Sequence, residues 1–103
     1  MTAKAYVYTE LQLSVPFDVA PWRELNPALK AQPGFLDKTW LSGIGTDTVG
    51  GFYSFDSIEN ARRFVTGYFP GEAAKFNAAH MTRVFDASIV PEASRDMNSP
   101  YYR

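Results

Sequence analysis

The sequence predicts an α+β domain of the ferredoxin-like kind, with strands and helices in the order β-α-β-β-α-β, and three observations predict it. Four segments alternate in polarity with the period of a strand. Two segments between them repeat apolar residues at helical spacing, and turns rich in proline and glycine separate the pieces. That order implies one antiparallel four-stranded sheet with both helices on one face.

Ala5 to Leu13 supplies the first strand, with Ala5, Val7, Leu11 and Leu13 on one parity and Tyr6, Tyr8, Glu10 and Gln12 on the other. Trp22, Leu25 and Leu29 then recur at helical spacing, with Asp18 placed to cap the helix and Pro21 suited to its first turn. Pro27 removes a backbone donor within that helix, so a kink or a late start is expected. Gln32-Pro33-Gly34 ends it. Phe35 to Ser42 forms the second strand, with Phe35, Asp37, Thr39 and Leu41 opposite Leu36, Lys38 and Trp40. The third, Thr48 to Phe55, carries Gly50-Gly51, the mark of a bulge or of a close approach by another group. Asp56 and Glu59 have capping-box spacing and open a second helix, which turns Ile58, Ala61, Phe64, Val65 and Tyr68 inward. Pro70-Gly71 is expected to break it, with Glu72 to Ala78 as a separate helical turn. His80 to Ala87 alternates again and makes the fourth strand.

With 103 residues the chain has room for one core. Residues 1–87 form the domain, and 88–103 are a tail without a clear period, ending in Tyr101-Tyr102-Arg103. Apolar residues make up 46% and aromatics 16%, enough to fold and in excess of what core filling needs, which suggests a ligand pocket or an interface. A net charge of -1, with no basic run, argues against nucleic acid. The absence of cysteine excludes disulfides, thiolate nucleophiles and iron–sulfur clusters. No signal sequence or long apolar run is visible, so no membrane partner is expected and a cytoplasmic location is. The sheet face away from the helices carries aromatics that need cover. A second copy of the chain, as a homodimer, would supply it, with the tail packed on the partner subunit.

Pro33-Gly34-Phe35-Leu36 with Lys38 and Trp40, then Gly50-Gly51-Phe52-Tyr53-Ser54-Phe55, and last Arg83-Val84-Phe85-Asp86, resemble the YdhR-like monooxygenase family. The likeness runs from the first strand to the fourth and includes a proline in the first helix, here Pro27. It implies a dimeric α+β barrel with a cavity suited to a small aromatic compound. The wider superfamily contains cofactor-independent monooxygenases, isomerases, cyclases and haem-handling enzymes, and a fold alone does not choose among them.

Residue chemistry narrows the choice. One histidine, no cysteine and scattered aspartates give no basis for a metal site, and no cofactor motif is present: Gly43-x-Gly45 and Gly50-Gly51 do not link a strand to a helix as nucleotide loops do. His80 is a candidate general base, because imidazole as a side-chain type is suited to proton transfer, or else a hydrogen-bonded structural residue. Trp40 and Tyr53, on adjacent strands, could hold a flat substrate, or pack in the core. Lys38 shares the parity of Trp40 and could stabilise a developing oxyanion, or be solvated at the rim. Arg83 could do likewise, or pair across strands with Glu10. The reading that follows is a cofactor-independent monooxygenase of a small aromatic or quinol-like molecule. The alternatives are a non-catalytic binding dimer and an isomerase or cyclase.

Overall fold

A computed structural model describes residues 4–13 and 22–102. Strands β1 (Ala5–Gln12), β2 (Phe35–Ser42), β3 (Thr48–Phe55) and β4 (Ala79–Asp86) form one antiparallel sheet in the order β2-β3-β1-β4. The α+β class and the strand order are those of the split β-α-β arrangement. Register follows the apolar pattern: Val7 stands opposite Tyr53 and Val84, and Ala5 opposite Phe55 and Asp86. A slip by one residue would turn every one of these side chains to the other face, so the pattern pins the pairing.

Helices α1 (Trp22–Lys30), α2 (Ile58–Arg63) and α3 (Phe69–Lys75) meet the same face of the sheet. Leu29, Ala61, Phe64 and Phe69 from the helical side join Ala5, Val7, Tyr53 and Phe55 in one buried cluster. Each large side chain there contributes about 1.5–3 kcal/mol through burial. Rings in van der Waals reach, such as Tyr53 and Phe64 at 5.0 Å between centroids, fix their mutual orientation.

Several local expectations are corrected. The cap of α2 is Ser57, whose hydroxyl accepts the Asn60 N–H at 3.1 Å, while Asp56 accepts from the Asn60 side chain at 2.9 Å; capping geometry needs the residue just outside the helix, and that is Ser57. Pro70 does not break the second helix. A π-helical segment, Phe64–Tyr68, joins α2 to α3, and the Phe69 N–H reaches back to the Phe64 carbonyl. The wide turn places Pro70 at the start of α3, where its missing N–H costs little. In α1 Pro27 lies inside the helix, and Trp22 is exposed with the Arg23 guanidinium 4.3 Å from its ring centre, leaving Leu29 as the buried contact. Asp18 and Pro21 lie outside the described residues. A bulge between Phe35 and Asp37 lets Phe35 join Phe55 edge-on at 6.2 Å, although Asp37 faces away.

The open face carries Tyr6, Tyr8, Phe52 and Phe85, with Tyr6 opposite Ser54 on β3 and Phe85 on β4. The tail is ordered as a short helix α4 (Pro91–Asp96) and a 3-10 turn, Pro100–Tyr102. Tyr101 and Tyr102 lie on this face of their own chain: Tyr101 sits 5.0 Å from Phe52, Tyr102 sits 5.9 Å from Tyr6, and the Tyr102 hydroxyl donates to the Ala87 carbonyl at 2.6 Å.

Candidate functional site

A cleft opens between α1, α3 and the helix-side face of the sheet. Thr9 and Leu11 come from β1, Lys38 and Trp40 from β2, Val49 and Tyr53 from β3. Leu25 and Leu29 of α1 form one wall; Tyr68 of the π segment, with Phe69 and Glu72 of α3 and Phe76 just beyond it, forms the other. The lining is almost wholly apolar, so the few polar groups decide what can bind and react.

Alternation places Lys38 and Trp40 on the helix side of β2, and the glycine pair makes room for them. Gly51 stands between Thr9 and Trp40 in the sheet, and a Cβ there would lie 2.5 Å from Lys38 Cε and 2.9 Å from the Tyr53 ring. Gly50 answers a different need: a Cβ there would strike the Thr9 carbonyl of the neighbouring strand. The stem of Lys38 therefore lies over Gly51. Its Nζ sits 3.1 Å from the Trp40 ring centre and 4.7 Å from that of Tyr53.

Among the described residues no carboxylate forms an ion pair with Lys38. Burial lowers its pKa to about 7, because an ammonium loses hydration there, while the two ring faces favour the charged form. An amine that exchanges its proton near neutral pH is suited to general acid–base work. Burial pushes the Tyr53 phenol up, with the nearby Thr9 hydroxyl partly opposing, so Tyr53 stays protonated. Tyr68 rises to about 12 through burial, with the Glu72 carboxylate adding to it. Glu72 also meets Lys75 at 3.2 Å. The Trp40 indole N–H donates to Asn26 of α1 at 3.0 Å, which fixes the ring against the cleft and commits that N–H to the protein.

Lys38, Trp40 and Tyr53 are thus brought together, and two other residues are not. His80 is exposed and stands opposite Leu11, with its ring edge-on to Phe69 at 5.6 Å; it lies behind that wall residue and outside the lining. Arg83 is exposed on the open face opposite Tyr8, whereas Glu10 stands opposite Met81, so the suggested cross-strand pair with Glu10 is out of register. Thr9, Tyr68, Glu72 and Phe76 escaped the sequence reading as site residues. Tyr68 and Glu72 lie four apart, a helical spacing, but only a helix continuous through Pro70 puts them on one wall. Among the described residues, no three of His, Asp and Glu cluster as metal ligands, and no helix is long and apolar enough to cross a membrane.

Solved structures that share the fold include two oxygenases. SnoaB, a cofactor-independent oxygenase from Streptomyces nogalater, solved as a point mutant, superposes with a TM-score of 0.62 at 15% identity, over 84% of this chain and 95% of that one. A monooxygenase from the gene ActVA-Orf6 of Streptomyces coelicolor, in complex with nanaomycin D, gives 0.58 at 13% identity, over 82% and 87%. No curated protein sequence matches significantly. Residues 11–93 match the family described as "Putative mono-oxygenase ydhR", from the end of β1 through β4, and the chain belongs to that family.

Proposed function

We propose that the protein is a cofactor-independent monooxygenase of small, flat phenols or quinols, working as a homodimer with a cleft in each subunit. The observation that carries this reading is Lys38: an amine with no carboxylate partner among the described residues, lowered to about 7, set between Trp40 and Tyr53 in an apolar cleft. As the free amine it takes the phenolic proton of a ring stacked on Trp40. The resulting phenolate passes one electron to dioxygen, and the radical pair combines at a ring carbon, ortho or para to the oxygen, that still carries hydrogen. The peroxide takes the phenolic proton back from Lys38, and the hydroperoxide then loses water as the same carbon gives up its hydrogen, leaving a quinone. One oxygen atom stays in the product and the other leaves as water, so the substrate supplies all the electrons. Lys38, now an ammonium, stands beside the phenolate it created, in surroundings where that attraction is stronger than in water.

Both structural neighbours named above are oxygenases, one of them cofactor-independent, which supports the reading without choosing the substrate. The experiment is oxygen uptake by protein freed of flavin and treated with a chelator, offered a panel of phenols and quinols under 18O-labelled dioxygen. The reading predicts one labelled atom per product molecule. Turnover that begins only when flavin or metal is added sinks it, and conversion without oxygen uptake marks an isomerase or cyclase.

A further inference from the structure

Three buried hydroxyls among the described residues have no hydrogen-bond partner: Tyr6, Thr9 and Ser54. A buried hydroxyl without a partner costs stability, so each asks for an explanation. Tyr6 and Ser54 are cross-strand neighbours on the open face, where Tyr102 already lies against the Tyr6 ring. Thr9 is on the other face, in the floor of the cleft, and is 1% exposed. The Tyr53 phenol is near enough to feel its dipole but does not meet hydrogen-bond geometry with it.

Its surroundings say what would satisfy it. Thr9, Gly51 and Trp40 form one row across three strands, and the central glycine leaves a slot between a hydroxyl and an indole. The Lys38 stem fills that slot, with Cε where a Gly51 side chain would be. A lysine stem rotates at little cost, unlike a backbone or a packed ring. A flat ring that replaced it would lie against Trp40 with its edge toward Thr9, while the displaced amine stayed within the same cleft.

We infer that the slot over Gly51 is the seat of the ligand, with Lys38 as its displaceable filler, and that the Thr9 hydroxyl anchors the ligand's oxygen. The cleft therefore selects aromatic compounds that bear a hydroxyl or carbonyl over plain hydrocarbons of the same shape. This rests on the reading of the cleft as the ligand site, but it needs neither oxygen nor turnover.

The test compares 1-naphthol with naphthalene by quenching of tryptophan fluorescence in the full chain, its Thr9→Val variant and its Thr9→Ser variant. The wild type is expected to favour 1-naphthol by roughly tenfold, the worth of one buried hydrogen bond. Thr9→Val removes that preference by weakening 1-naphthol alone, and Thr9→Ser keeps it. Because Thr9→Val also removes an unpartnered hydroxyl, its melting temperature should rise by about 4–8 °C, a signature that damage to the fold could not produce. A preference that survives in Thr9→Val, or no binding of either compound by the wild type, overturns the inference. A normal preference with no oxygen uptake on any phenol leaves the anchor standing and removes the oxygenase reading instead.

Discussion

Lys38 shows how much one side chain can draw from its neighbours. Parity placed it beside Trp40 in the sequence, yet a solvated lysine at the sheet rim would follow the same parity. What decides is Gly51, whose missing side chain lets the stem lie flat and carries the amine inward. Burial of the charge has a consequence for stability. The folded-state pKa, about 7, lies below the ordinary lysine value of 10.5, so between these two values the unfolded chain binds the extra proton. Stability from this group therefore rises with pH across that window, and the penalty for burying the ammonium is complete below it. Lys38→Met is accordingly expected to raise the melting temperature at pH 6 and to raise it much less at pH 10, read by calorimetry. An equal rise at both values would mean that the lysine is not desolvated.

The helical wall of the site belongs to the scale of elements. Pro70-Gly71 reads locally as a break, since proline lacks a donor and glycine favours turns. The chain instead widens one turn into a π segment, with the Phe69 N–H bonded to Phe64, and continues as α3. Tyr68, Phe69 and Glu72 reach the cleft because of that continuity, which is why they were not legible: the period of a helix is visible in a sequence, but an added residue in one turn is set by tertiary packing of Phe64 and Phe69. Strands were easier, because alternation in β1 and β4 carries its own register. Gly67 lies within the π segment with open space where a Cβ would be. Gly67→Ala should therefore stabilise the chain by about 0.5–1 kcal/mol through lower unfolded-state entropy, measured by urea unfolding. A loss of stability would show that this turn requires glycine. Gly34 is the opposite case, held at a φ of 75° with Asp56 and Asn60 against it, so Gly34→Ala should destabilise by more than that.

At the scale of the whole molecule, the helix-covered face holds the cleft and the open face holds the unfinished business of Tyr6, Phe52 and Phe85. The proposed dimer covers that face, and Tyr101 and Tyr102, already seated on it, would lie between the two sheets and touch the partner subunit. Removal of 88–103 is expected to weaken the dimer in sedimentation velocity. Unchanged association would exclude the tail from the interface, and stronger association would make it a cover that competes with the partner. The fold was legible because every strand and helix has a face that must be buried. The site was legible only in part, since aromatic and cationic residues on one parity mark a cleft without naming its far wall. The central claim is that Lys38 is the base of a cofactor-free oxygenation, and the pH profile of kcat/KM for oxygen uptake tests it most directly. The profile should rise through about pH 7 in the wild type and in His80→Ala, and Lys38→Met should lose roughly 10²–10⁴-fold with no such rise. A Lys38→Met variant that keeps the rise, or a His80→Ala variant that abolishes it, would contradict the account.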